Sequence, residues 1–149
     1  MEKYSEYGSI KRIMKADKRY GSITSLEVEI SSFTGGGYKV RYDFVRRLIS
    51  WNDGYMWNNN FMKSLTPEKL QVITSNLPGT GVIEWMEGYN RGELAKYGLP
   101  TANPSSWRIC INFEDGSDLV SSHTKNFPKN WTKLKEIIEA TTECCFRLR

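Results

Sequence analysis

The residues able to do chemistry are few and far apart in this chain. His123 is the only histidine, within the polar run Ser121–Asn126, and the cysteines are Cys110, Cys144 and Cys145. A Ser/His/Asp or Cys/His device needs a base beside its nucleophile, and no spacing here supplies one; His123 reads as a solvated loop residue. Cys110 could be a nucleophile if Arg108, two residues earlier on the same strand face, made its surroundings electropositive and open. The plainer reading is a small half-buried side chain. Two adjacent cysteines and one histidine do not make the four-ligand set of a closed zinc site. Gly35-Gly36-Gly37 lacks the Lys-Ser/Thr of a phosphate loop and lies between two strand-like runs, so it reads as a hairpin turn. The carboxylates Glu84, Glu87, Glu93, Glu114 and Asp115 are scattered; a paired acid and base among them stays open. The expectation is a chain with no catalytic residue, no metal and no cofactor.

Two features suit macromolecular partners better. Residues 1–21 form a basic arm or short helix carrying Lys3, Lys11, Arg12, Lys15, Lys18 and Arg19, with Tyr4, Tyr7 and Tyr20 interleaved. Lysine and arginine can neutralise phosphates and tyrosine can stack on unpaired bases, and Arg41, Arg46 and Arg47 could extend such a surface. Six basic residues in about twenty are equally common on a solvated helix face, and no RRM, KH or helix-turn-helix signature follows. The second feature is Trp57, in the run MWNNNF with no periodic apolar partner. On an exposed loop it would be an interface anchor; partial burial under a sheet is the plainer reading.

The elements that would position these residues are well marked. Leu26, Val28 and Ile30 alternate with Glu27 and Glu29; after the glycines, Tyr38, Val40, Tyr42 and Phe44 alternate with Lys39, Arg41 and Asp43. Alternation on both sides of a glycine turn predicts a β-hairpin. A third strand is expected around 47–51, turning at Asn52-Asp53-Gly54. Thr66-Pro67-Glu68 opens a helix, with a cap, a proline at the first helical position and an acid at the positive end of the dipole. Leu70, Ile73 and Leu77 give it an apolar stripe, and Asn76-Leu77-Pro78-Gly79 is expected to end it. The run 82–89 reads as either a helical turn or a strand, and 90–106 as an exposed loop. Trp107, Ile109, Ile111 and Phe113 share one strand face, Glu114-Asp115-Gly116-Ser117 is a turn, and a last helix is expected over 128–142. Cys144 and Cys145 fall at its frayed end.

The chain of 149 residues, with 39% hydrophobic, 26% charged and 13% aromatic residues and a net charge of +4, fits one soluble domain. No apolar run approaches a membrane span, no secretory signal is visible, and an odd cysteine count with two adjacent members argues against a disulfide framework. The predicted architecture is α+β, an antiparallel sheet of about five strands packed by two main helices, with residues 22–149 as a single domain behind the 1–21 arm.

The order of these pieces is distinctive: strand-GGG-strand, an LTPEKL helix, W-x-I-x-I-x-F-x-D-G-S, then N-F-P-x-N-W-x-x-L-x-x-I-I. Over roughly residues 24–141 it resembles a family of small uncharacterised proteins of Clostridium-like bacteria and their mobile elements. The resemblance brings no activity and no site residues. The chain departs from that pattern in a longer loop over 91–106 and in its basic first twenty residues. The function expected is a non-enzymatic cytoplasmic protein-interaction domain, such as a phage- or plasmid-encoded inhibitor of a host defence nuclease or an immunity-type protein. Its partner would be another protein, with no membrane. The alternative is a nucleic-acid-binding module using the basic segment.

Overall fold

The computed structural model describes residues 18–33, 35–93, 98–100 and 105–148. Eight strands occur among them: β1 (Ile23–Ser32), β2 (Gly37–Asp43), β3 (Leu48–Asp53), β4 (Phe61–Ser64), β5 (Gly98–Pro100), β6 (Ser105–Phe113), β7 (Asp118–Thr124) and β8 (Asn126–Pro128). Six build one antiparallel sheet in the order β4-β3-β2-β1-β6-β7, and β5 with β8 forms a separate ribbon. The fold is α+β as expected, with one more sheet strand than the five anticipated. The extra strand is β4, whose four residues carry no clear alternation.

Register decides what the sheet does. Val28 pairs with Val40 on one side and Ile109 on the other, and all three are fully buried. Because side chains alternate across a strand, Glu27, Arg41 and Cys110 share the opposite row. One face is therefore a continuous core and the other is polar.

Three helices contact the apolar face: α1 (Pro67–Thr80), α2 (Val82–Asn90) and α3 (Trp131–Thr142). Thr66 caps α1, its hydroxyl accepting from the Lys69 amide. The helix runs through the expected Asn76–Gly79 stop to Thr80 and is capped by Gly81, in the left-handed conformation at φ 66°. Pro78 lies within the last turn, where a missing N–H breaks a single ladder bond, and its carbonyl still accepts from Gly81. The run 82–89 is a helix because tertiary contacts complete a segment too short to be stable alone. The Tyr20 hydroxyl accepts from the Ile83 amide and donates to Glu84, tying a helical turn over 18–21 to the start of α2. That hydroxyl holds its proton far above the usual tyrosine range, first through burial and then through the Glu84 carboxylate.

The core centres on aromatic contacts. Trp107 lies 5.4 Å from Trp85 and 5.0 Å from Tyr89, both nearly perpendicular to it, and its indole N–H donates to the Asn126 carbonyl. Tyr42 donates to Thr141, whose own hydroxyl donates to the Ile137 carbonyl, joining β2 to α3.

The chain after α3 departs from expectation. Instead of fraying, it turns at Glu143 and returns to the sheet. Phe146 is buried 6.0 Å from Trp51 and 6.3 Å from Trp131, its amide donating to Glu139. The tail is thus part of the core. Phe146→Ala should destabilise the protein by about 3–5 kcal/mol in urea unfolding, as for other buried phenylalanines; a change below 0.5 kcal/mol would show that the tail does not pack.

Candidate protein-interaction surface

Between β3 and β4 the chain makes a compact loop organised by one carboxylate. Asp53 is buried, and its Oδ1 accepts from the Tyr55 and Met56 amides at 2.8 and 2.9 Å. Its Oδ2 accepts from the Asn59 side chain, while the Asp53 amide donates to the Asn60 side chain at 2.6 Å. An aspartate accepting from amides two and three residues ahead is a standard turn former, and Asn52-Asp53-Gly54 announced it. The asparagines of MWNNNF close the loop from the far side, with Trp57–Asn59 forming a single 3₁₀ turn.

The loop is braced against the β1–β2 hairpin. The Gly54 amide donates to the Gly37 carbonyl at 2.7 Å, and Gly36 (φ 91°) faces the Tyr55 ring so closely that a Cβ there would come within 2.5 Å of it. Glycine is required at this position by both conformation and space. Behind the loop, Tyr38 contacts Tyr55 and Trp51 at 5.4 and 5.2 Å, and Trp51 stacks on Phe61.

This scaffold holds Trp57 in water. The side chain is 82% exposed, which corrects the expectation of partial burial beneath the sheet. Met56, beside it, and Phe33, on the neighbouring hairpin, are also exposed. Isolated exposed apolar residues are ordinary. Three large ones at one end of a sheet, two of them on a loop fixed by hydrogen bonds, have the composition of an interface core.

The basic residues are placed differently. Lys11, Arg12 and Lys15 lie outside the described residues. Lys18 is exposed on the turn before β1. Arg19 forms an ion pair with Glu87 at 2.6 Å and places its guanidinium over Phe113. Arg41 projects from the polar sheet face directly opposite Glu27. Arg46 and Arg47 are exposed on the β2–β3 turn, where Asp43 accepts from the Val45 and Arg46 amides and Arg47 takes φ 60°. Phe44 donates to the Thr24 carbonyl, which puts Lys18, Arg46 and Arg47 at the end of the sheet remote from Trp57.

The polar face itself mixes signs: Lys39, Arg41 and Arg108 stand among Glu27, Glu29, Asp43 and Asp118, and Arg108 pairs with Glu27 at 3.3 Å. Burial pushes the Cys110 thiol up, outweighing the Arg108 charge, so it stays protonated and weakly nucleophilic at neutral pH. His123 is not on a loop. It belongs to β7, half-buried, with its ring 5.5 Å from Tyr89 and Nδ1 2.9 Å from the Thr124 carbonyl. Burial pushes the Tyr89 phenol up to about 12. Among the described residues no three His, Cys, Asp or Glu side chains could hold a metal ion, and no helix is long and apolar enough to cross a membrane.

A groove of about 630 Å³ lies between α1 and the basic end of the sheet, walled by Ile73, Leu77 and Phe44 with Arg47 and Glu114 among its lining. Its remaining titratable side chain, Tyr20, is occupied by Glu84.

No family model, curated protein or solved structure matches this chain. The site must be read from its own geometry.

Two substitutions separate presentation from contact. Asp53→Ala removes the acceptor for two amides and should cost about 1–3 kcal/mol, with faster hydrogen exchange at Tyr55 and Met56. Trp57→Ala should change stability by no more than about 0.5 kcal/mol, as expected for an exposed side chain. A large loss in urea unfolding for Trp57→Ala would mean that the indole packs on the fold.

Proposed function

We propose that this chain is a non-enzymatic protein-interaction domain that docks on a partner protein through the Trp57 loop. The observation carrying this reading is an indole 82% exposed on a loop immobilised by a buried carboxylate. A large apolar side chain already ordered in its docking position loses little conformational entropy on binding, and tryptophan is the residue most enriched among interface hot spots. The narrower form of the proposal is an inhibitor of a host defence nuclease carried by a phage or plasmid, or an immunity-type protein that covers a toxin. Either role suits a small rigid domain with a protruding anchor. It also requires no reaction centre, and it fits the mobile-element resemblance. Action in the cytoplasm is part of the proposal, since the three cysteines are unbridged and would remain reduced there.

The test is a tagged pull-down from host lysate at roughly physiological salt, with and without nuclease treatment. One stoichiometric protein should persist after nuclease and be recovered at least tenfold less well by Trp57→Ala, about 1.4 kcal/mol or more. Equal recovery of that protein by the variant would contradict the reading.

A second reading rests on Lys18, Arg46 and Arg47, three exposed cations at one end of the sheet. With the Lys11, Arg12 and Lys15 arm they would contact nucleic-acid phosphates. Affinity for a single-stranded oligonucleotide should then fall by orders of magnitude between about 50 and 200 mM salt. Arg46→Ala with Arg47→Ala should flatten that dependence; affinity unchanged by salt would exclude the reading.

A further inference from the structure

The sheet ends at β4, whose outer backbone edge has no strand beside it among the described residues. Which groups face outward follows from register. The Leu65 amide donates to the Arg47 carbonyl, and the pairing continues as Leu48 with Ser64, Ile49 with Lys63, Ser50 with Met62 and Trp51 with Phe61. Hydrogen-bonded and non-bonded pairs alternate in an antiparallel ladder. Phe61 and Lys63 therefore direct their amides and carbonyls at β3, while Met62 and Ser64 direct theirs away from the sheet. Met62 is also 66% exposed, on the polar face.

We infer that this edge pairs with the same edge of a second copy of the chain, antiparallel about a two-fold axis at Met62, making a continuous twelve-stranded sheet. A two-fold interface must be self-complementary, and the side chains favour a register centred on Met62 over one centred on Lys63. An axis at Lys63 would oppose the two Lys63 side chains in a non-bonded pair, the closer kind, with like charges face to face. An axis at Met62 instead sets Met62 against Met62 and each Phe61 against the other copy's Lys63. That ammonium-on-ring contact already exists within one chain, where Lys63 Nζ is 4.5 Å from the Phe61 ring centre; it is a favourable electrostatic pairing. A lone lysine is a common guard on an edge strand. Here the guard blocks the register centred on itself and suits the one centred on Met62. The inference goes beyond the Trp57 reading, since the paired residues 61–63 do not include that loop and no partner protein is needed.

The test uses the full-length chain alone. Sedimentation velocity should show a reversible monomer–dimer equilibrium. Met62→Cys, a change at an exposed position, should yield a disulfide-linked dimer on mild oxidation, because a hydrogen-bonded pair holds its Cα atoms about 5.5 Å apart, within disulfide range. Peptide mass mapping should find position 62 joined to itself. Lys63→Cys should cross-link at least tenfold more slowly. A wild-type protein monomeric up to about 1 mM, the limit of weak specific association, would overturn the inference. So would Lys63→Cys linking as fast as Met62→Cys, or links made only through the native cysteines.

Discussion

The alternation of β1 is the constraint on which everything else rests. This strand pairs along most of its length with β2 on one side and β6 on the other, so its period of two sets the inner and outer faces of the whole sheet. A slip of one residue would turn Leu26, Val28 and Ile30 to water and bring Glu27 and Glu29 under the helices, a change no compensating contact could offset. With that register fixed, the hairpin glycines must fall at one end of the sheet, and the β3–β4 loop must meet them there. The position of Trp57 is a consequence of this geometry.

The two ends of the sheet are chemically unlike, and the difference separates the two binding readings. The loop at the Trp57 end combines apolar side chains with asparagines and one buried, hydrogen-bonded carboxylate, Asp53. The opposite end carries Lys18, Arg46 and Arg47 beside Glu114. The polar face between them is no platform for bases. Its strands direct their aromatic residues inward, and its cations are interleaved with carboxylates in neighbouring rows. Stacking supplies much of the affinity for single strands, and this face offers no ring for it, so a nucleic-acid contact would fall to the basic end and the Lys11, Arg12 and Lys15 segment instead.

Much of the fold is legible in the sequence because its signals are local. Alternation around the glycines gives the hairpin, Thr66-Pro67 gives the start of α1, and the Trp107–Phe113 run gives β6. What escapes is set by tertiary contact. The segment 82–89 becomes helix because Tyr20, more than sixty residues earlier, completes its first turn. Phe146 follows two cysteines at the apparent end of a helix, and nothing local shows that it folds back to Trp51. Of the candidate site, the turn role of Asp53 is readable. The exposure of Trp57 is not, since a tryptophan among asparagines fits either a half-buried loop or a presented one. The surroundings of Arg19 and Arg41 are hidden for a related reason: Glu87, which pairs with Arg19, and Glu27, across the ladder from Arg41, are distant in sequence.

Recognition through an ordered Trp57 loop would leave its mark in the hydrogen-exchange footprint of the protein with and without its captured partner. Slowed exchange should be confined to residues 53–60, Phe33 and 35–37, with the amides of Tyr55 and Met56 already protected in the free protein by Asp53. Protection at 18–21 and 44–47, with the loop unaffected, would contradict this and move recognition to the basic end of the sheet.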